Sequence, residues 1–178
     1  MTTKRGVDLV FDLTTPQSVL EFVNYAHRDQ VDKIGVPYVY HVARVGASLW
    51  RFGDEFVMAG FLHDVVEDTD YSLEDLAFMG APDAVLSAVD SVTKHVSESD
   101  LTAYEASIRR AMGDPIGRFV KAADVSDNAL RVSDVPWGPL RVRLAEKYEV
   151  AERVIAEYVP GYRIGVSLTP PTGHLTPV

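Results

Sequence analysis

Residues 61–69 (FLHDVVEDT) constrain this chain more than any other stretch. The adjacent pair His63 and Asp64 lies inside an apolar run with helical periodicity, and the pair Glu67 and Asp68 follows one turn later. Because residues four apart share a helix face, His63 is predicted to stack over Glu67, and Asp64 over Asp68. Unpartnered burial of these groups would cost several kcal/mol. An imidazole with carboxylates suits Mn, Fe or Zn, so the stretch predicts a metal site; a frayed, solvated helix end is the alternative.

Length and composition bound the class of protein. The chain has 178 residues, which predicts a single domain, 1–178, with a sizeable core. No apolar run approaches the ~20 residues that span a bilayer, and the N-terminus lacks the apolar segment of a secretory signal. The chain has no cysteine, so any metal must be held by nitrogen and oxygen donors. These features predict a cytoplasmic protein with no membrane partner.

The net charge of −9 excludes one class of partner. A generic nucleic-acid binder needs a basic stripe that releases counterions, and none is present. A small phosphorylated substrate stays compatible, because a metal and a few local lysines or arginines supply positive potential inside an acidic protein.

Helical periodicity runs through the chain, and no alternating segment competes with it, so the predicted class is all-α. Thr14, Thr15 and Pro16 predict the first helix start, and Ser72 with Asp75 predicts another capping box. The motif-bearing core covers about 14–159, and 160–178 is predicted to be an irregular tail. The expected helices are about 16–28, 40–52, 55–66, 72–80, 82–93, 101–112, 116–132 and 140–159.

Further candidate ligands lie outside the central stretch. Asp124 and Asn128 are four residues apart on one helix face beside an apolar stripe, which is consistent with a lined pocket and equally with a surface carboxylate and amide near a helix end. His41 lies at a helix start, where a lone histidine is more often a surface residue. Together His41, His63, Asp64 and Asp124 make a set of two imidazoles and two carboxylates that leaves positions for water on an octahedral metal.

Four motifs of the sequence resemble those of RelA/SpoT-type hydrolase domains, in the family's order and spacing, over about residues 20–132. They are residues 26–41 (AHRDQVDKIGVPYVYH), 62–69 (LHDVVEDT), 92–94 (VTK) and 120–128 (VKAADVSDN). In length the chain is similar to the stand-alone members, the small alarmone hydrolases. The resemblance implies an all-α HD-superfamily bundle of about eight helices with the metal site at its centre.

The resemblance also implies an activity. Members of the family are Mn²⁺-dependent hydrolases that remove the 3′-pyrophosphate of guanosine tetra- or pentaphosphate. By position, His41, His63, Asp64 and Asp124 match the family's metal ligands. A small phosphorylated nucleotide is the implied partner, and a homo-oligomer or a cognate synthetase or toxin stays open.

Five further positions match functional residues of the family. Glu67 and Asp68 match the acidic pair that orients or activates the attacking water. Lys33 matches a lysine near the phosphates, and Asn128 matches an amide that contacts the nucleotide. Tyr148 corresponds to a nucleotide-contacting position of the last helix, with an alignment that slips by one residue.

Two positions depart from the family pattern. Asp32 stands where the family commonly has an arginine that stacks on guanine, which leaves an adenine alarmone open as the substrate. Asp127 stands where the family often has His or Tyr. Alternative functions are an HD-type phosphatase of a nucleoside monophosphate or NADPH, and a binding protein that neutralises an alarmone-making toxin.

Overall fold

The computed structural model describes residues 11–32, 34–94 and 100–164, and these residues form nine α-helices and no strand. The all-α prediction is confirmed. The helices are α1 Pro16–Ala26, α2 Val39–Ser48, α3 Asp54–Leu62, α4 Val65–Asp68, α5 Leu73–Phe78, α6 Asp83–Val92, α7 Leu101–Met112, α8 Gly117–Leu130 and α9 Pro139–Tyr158. Two 3₁₀ turns, Trp50–Phe52 and Arg131–Asp134, follow α2 and α8.

The predicted helix starts are confirmed. The Thr15 side chain accepts from the Ser18 N–H at the start of α1, and Pro16 follows it in the first turn. Ser72 and Asp75 form a reciprocal capping box at the start of α5. Each such cap stabilises its helix by about 1 kcal/mol, because it satisfies N–H groups that have no partner inside the helix.

Two predicted helices are shorter than expected. The segment predicted to be helical over about 40–52 ends as an α-helix at Ser48, and the one predicted over about 55–66 is interrupted after Leu62. There Asp64 adopts φ −104° and ψ −2°, outside the helical minimum, so α3 and α4 are separate. The predicted continuous helix over about 55–66 is therefore wrong, although the Asp68 N–H still donates to the Asp64 carbonyl at 2.9 Å.

Two glycines let α2 and α3 pack backbone to backbone. A Cβ added to Gly60 would lie 2.7 Å from the Gly46 Cα, and one added to Gly46 would lie 2.2 Å from the Phe61 ring. Any larger side chain would force the helices apart. This contact brings the start of α2, which carries His41, against the end of α3, which precedes His63.

The helix α8 lies in the middle of the bundle. It contacts α2, α3, α6, α7 and α9, and its inner face buries Val120, Val125 and Ala129. A helix with neighbours on most sides places its polar residues in the interior, and Lys121 and Asp124 are both buried. Among the described helices, none is both long and apolar enough to cross a lipid bilayer.

Candidate metal centre and active site

Four side chains from three regions meet at the centre of the bundle. His63 Nε2 lies 2.8 Å from Asp64 Oδ2 and 3.8 Å from Asp124 Oδ1. His41 Nε2 lies 3.4 Å from Asp124 Oδ1 and 3.6 Å from Asp64 Oδ2. The ligand atoms of His41, His63 and Asp64 all lie within 4.8 Å of one another. We call these four residues, His41, His63, Asp64 and Asp124, the central cluster.

The hydrogen bonds of the two imidazoles fix which nitrogen faces the cluster. His63 Nδ1 donates to the Gly60 carbonyl at 2.8 Å, and His41 Nδ1 donates to Asp127 Oδ2 at 2.8 Å. With the protons on Nδ1, both Nε2 atoms carry lone pairs, and both are buried with no hydrogen-bond partner among the described residues. Two lone pairs that face two carboxylates repel them unless a positive charge lies between them. The donor set therefore fits a divalent metal ion, with N and O ligands at an interior site.

The electrostatics of the central cluster favour positive charge. Burial lowers the pKa of His41, but the hydrogen bond to Asp127 and the neighbouring charges of Asp124 and Asp64 outweigh burial and raise it to about 9. Burial raises the pKa of Asp64, but the nearby imidazole of His63 and the hydrogen bond from the Tyr38 hydroxyl outweigh burial and lower it. The acids thus stay ionised in the interior and attract a cation.

A second set of contacts orients the cluster. Asp127 receives two hydrogen bonds from Arg44, at 2.6 and 2.8 Å, while it holds His41. The Tyr38 hydroxyl donates to Asp64 Oδ2 at 2.5 Å. Carboxylates that fix the second nitrogen of a ligating histidine raise its basicity and set its orientation. Asp127, which departs from the family pattern, therefore supports a predicted ligand.

Neighbours on α8 hold Asp124. Lys121 Nζ lies 3.0 Å from Asp124 Oδ2, and the Asn128 amide donates to Asp124 Oδ1 at 2.5 Å. Burial lowers the pKa of Lys121, but the charge of Asp124 and the hydrogen bond to it have the larger effect. The pKa therefore lies above its usual value, and the lysine stays protonated. Asn128 is thus engaged with Asp124 in this structure.

The acidic pair of α4 has two different environments. Both carboxylate oxygens of Glu67 accept from Lys94, one from its backbone N–H at 2.7 Å and one from its ammonium at 2.5 Å. Partial desolvation, with the negative charges of Asp64 and Glu67, raises the pKa of Asp68. Gln30 donates to the Asp68 carbonyl and accepts from His27, which fixes the backbone of α4 against the end of α1.

A cavity of about 420 Å³ opens onto the central cluster. This volume lies within the range of small-molecule sites. The lining combines the acids of the site with three lysines and an apolar wall. Its polar residues include Asp64, Glu67, Asp68, Lys94, Lys121, Asp124, Asn128, Arg131 and Lys147, and its apolar and aromatic residues include Ile34, Tyr38, Tyr104, Val132, Val135, Leu144 and Tyr148.

The chain is similar to known hydrolases along most of its length. It is 33% identical over 144 residues to the guanosine-3′,5′-bis(diphosphate) 3′-pyrophosphohydrolase MESH1 of Drosophila melanogaster, covering 76% of this chain and 80% of MESH1. The chain belongs to the RelA/SpoT-type HD hydrolase family. No protein-family model matches the chain.

Longer members of this family match as well. The GTP pyrophosphokinase of Streptomyces coelicolor is 36% identical over 175 residues, covering 92% of this chain and 20% of that protein. A pyrophosphohydrolase of Aquifex aeolicus is 28% identical over 157 residues, covering 84% and 21%. The chain thus spans about a fifth of the length of these relatives.

A solved structure shares the fold. It is that of a metazoan orthologue of SpoT that hydrolyses ppGpp, with a TM-score of 0.71 and 26% identity, and the match covers 84% of this chain and 89% of that one. The HD-type all-α architecture predicted from the sequence is therefore confirmed.

The predicted nucleotide contacts have different outcomes. Tyr148 is buried and lines the cavity, and Asn128 lines it as well. Lys33 lies outside the described residues, so its predicted contact with phosphate stays a prediction. The roles of all these residues in the RelA/SpoT-type site are likewise predictions that geometry alone leaves untested.

Sequence reasoning gave no role to three residues of this site. Lys121 lies three residues before Asp124, a helical spacing that brings side chains together and could have revealed the pair. Tyr38 lies one turn before His41, within the motif of residues 26–41. Arg44 is 83 residues from its partner Asp127, and no local pattern signals such a contact.

Proposed function

We propose that this chain hydrolyses the 3′-pyrophosphate of ppGpp, pppGpp or a related alarmone and releases pyrophosphate. Two buried imidazole nitrogens without partners, aimed at two carboxylates beside a nucleotide-sized cavity, are the observation that carries the proposal. Relatives named for this activity, among them MESH1 of Drosophila melanogaster, support it.

The central cluster would hold a divalent ion, and we propose Mn²⁺. Held by these residues, the ion would supply a ligated water of lowered pKa and would polarise a phosphoryl oxygen. Tyr38 and Asp127 keep Asp64 and His41 in orientation. Lys121 balances the charge of Asp124.

The acids of α4 would have separate tasks. Glu67 holds Lys94 at the cavity wall, where the ammonium group can meet a phosphate. Asp68 accepts the proton of the attacking water, because its raised pKa makes it a better base than an ordinary aspartate. The water oxygen forms a bond to phosphorus, the bond to the ribose 3′-oxygen breaks, and that oxygen takes up a proton from solvent.

Product analysis tests the proposal. Purified protein with Mn²⁺ is incubated with guanine and adenine nucleoside 3′-pyrophosphates, nucleoside monophosphates and NADPH, and the phosphorus products are separated. Pyrophosphate from the 3′-pyrophosphates is the expected result. Orthophosphate from a monophosphate or NADPH would favour the phosphatase alternative. A toxin-neutralising activity that survives in Asp64→Asn would favour the binding alternative.

A further inference from the structure

Residues along α8 that line the cavity lie at increasing distances from the central cluster. Asp124 lies at the central cluster, Asn128 is one turn further along, and Arg131 follows directly after the end of the helix. Arg131 is seven positions after Asp124, which is about 10 Å along the axis at about 1.5 Å per residue. Arg131 lines the cavity as well. It therefore lines a part of the cavity that is remote from the central cluster.

Arg131 is held there by Asp32, which lies in the loop between α1 and α2. Its Nη2 lies 2.7 Å from Asp32 Oδ2, across 99 residues of sequence. The other oxygen of Asp32 accepts the backbone N–H groups of Ile34 and Val36, both at 2.9 Å. The carboxylate is thus fixed by the loop itself, and it holds the guanidinium by one edge. A guanidinium that is held by its edge leaves its faces available for stacking.

Apolar residues next to this pair in the sequence line the same cavity. Ile34 is two residues after Asp32, Val132 follows Arg131, and Val135 and Leu144 add to the apolar lining. Apolar walls around a planar cation suit a flat aromatic group, because such a group gains both desolvation and cation–π attraction. We place the base here and the phosphates nearer the central cluster, where Lys94 and Lys121 line the cavity.

We infer that Arg131, positioned by Asp32, is the platform on which the base of the substrate stacks. The inference rests on the proposed function and names the base subsite of that same cavity. Every nucleobase has a π face, so a stacking platform tolerates different bases. The protein therefore accepts guanine and adenine 3′-pyrophosphates with KM values within about tenfold of each other.

Kinetics of two variants test the inference. In Arg131→Leu the KM for the nucleotide rises about tenfold or more, while kcat changes little, because the reacting phosphate is untouched. Arg131→Lys keeps the charge, loses the plane, and shows the same rise. Arg153→Lys is the matched control, since Arg153 pairs with Glu105 at 2.8 Å and does not line the cavity. Its KM stays at the wild-type value.

Inhibition separates base from phosphate. Guanosine and adenosine carry a base without a phosphate, and inorganic pyrophosphate carries phosphate without a base. In the Arg131 variants, the inhibition constants of both nucleosides rise and that of pyrophosphate is unchanged. Unchanged nucleoside inhibition, or an equal rise for pyrophosphate, would overturn the inference. So would wild-type discrimination between guanine and adenine beyond about 10³-fold, which requires hydrogen-bond recognition of the base.

The two proposals fail separately. If the wild-type protein released no pyrophosphate, the proposed function would fall. Calorimetric titration of guanosine and adenosine into the wild type and Arg131→Lys would still decide the stacking role. If hydrolysis occurred but the variants bound nucleosides as the wild type does, the stacking role alone would fall.

Discussion

The central cluster and a network on the outer surface both combine carboxylates with nitrogen-bearing side chains, but they differ in how completely these groups are hydrogen-bonded. On the surface, Glu105 and Glu157 from α7 and α9 accept from Arg109 and Arg153. All four carboxylate oxygens of this surface network have a guanidinium partner. In the central cluster, both imidazole Nε2 atoms are buried and have no hydrogen-bond partner among the described residues.

The difference separates stability from chemistry. Exposed ion pairs are screened by water and salt, so a complete set of partners contributes little. Buried polar atoms without partners are costly, so a fold retains them where something else completes them. The incomplete region, and not the region richest in ion pairs, is therefore the one that we expect to bind a ligand.

Loss of a cluster ligand has the largest expected effect. His63→Ala and Asp64→Asn each remove a donor to the proposed ion, whose stabilisation of the transition state is worth several kcal/mol. Pyrophosphate release should fall about 10³-fold or more. The metal-dependent rise in melting temperature should disappear with it. A chelator should abolish wild-type activity, and Mn²⁺ should restore it; full activity in the chelator would contradict the metal site.

The next largest effect is expected at Glu67. Glu67→Gln removes a charge that holds Lys94 at the cavity wall but leaves the four cluster ligands in place. We expect kcat to fall about 10²-fold or more, with an unchanged Mn²⁺ concentration for half-maximal activity. The control is Glu74→Gln, an exposed glutamate at the start of α5, which should behave as the wild type. A shifted Mn²⁺ requirement in Glu67→Gln would mean that Glu67 is itself a ligand.

A smaller effect is expected at Asp127, which touches the cluster only through His41. Asp127→Asn weakens the hydrogen bond that orients the imidazole, so metal affinity should fall about 10- to 100-fold. At saturating Mn²⁺ most of kcat should return. Asp134→Asn, an exposed aspartate beyond α8, is the control. If the Asp127→Asn variant kept the wild-type Mn²⁺ dependence, Asp127 would not orient His41.

The smallest effect is expected on the surface. Glu105→Gln breaks contacts with Arg109 and Arg153, yet hydrolysis should be unchanged, and thermal stability should fall only at low salt. Melting curves at low and high salt, with parallel rate measurements, test this. A large loss of activity would show that the α7–α9 contact is coupled to the site and would end the contrast between the two regions.

Local sequence patterns predicted the parts of the site that lie within one or two helical turns. The pair His63–Asp64 and the spacing of Asp124 and Asn128 indicated a polar interior, because helical periodicity fixes which residues share a face. His41 entered as a candidate because it completes a set of two imidazoles and two carboxylates, and the resemblance to RelA/SpoT-type domains implied the same set. The structure brings His41, His63, Asp64 and Asp124 together, while their roles stay predictions.

Other features depend on tertiary contacts that no local pattern encodes. The break between α3 and α4 turns the backbone at Asp64, so a continuous helix was the wrong expectation there. The bridge from Asp32 to Arg131 joins residues that become neighbours only after α8 has packed. From the sequence alone, Asp32 indicated the loss of a base contact, whereas the structure gives Asp32 a partner in Arg131.

The contact between Gly46 and Gly60 has a consequence for engineering. Main chain meets main chain there, so the separation of the helices that present the two imidazoles is already at its minimum. Repacking the surrounding core with other apolar residues cannot bring His41 and His63 closer. A designer who wants a different ion preference must therefore exchange the donor atoms themselves, for example a carboxylate for an imidazole.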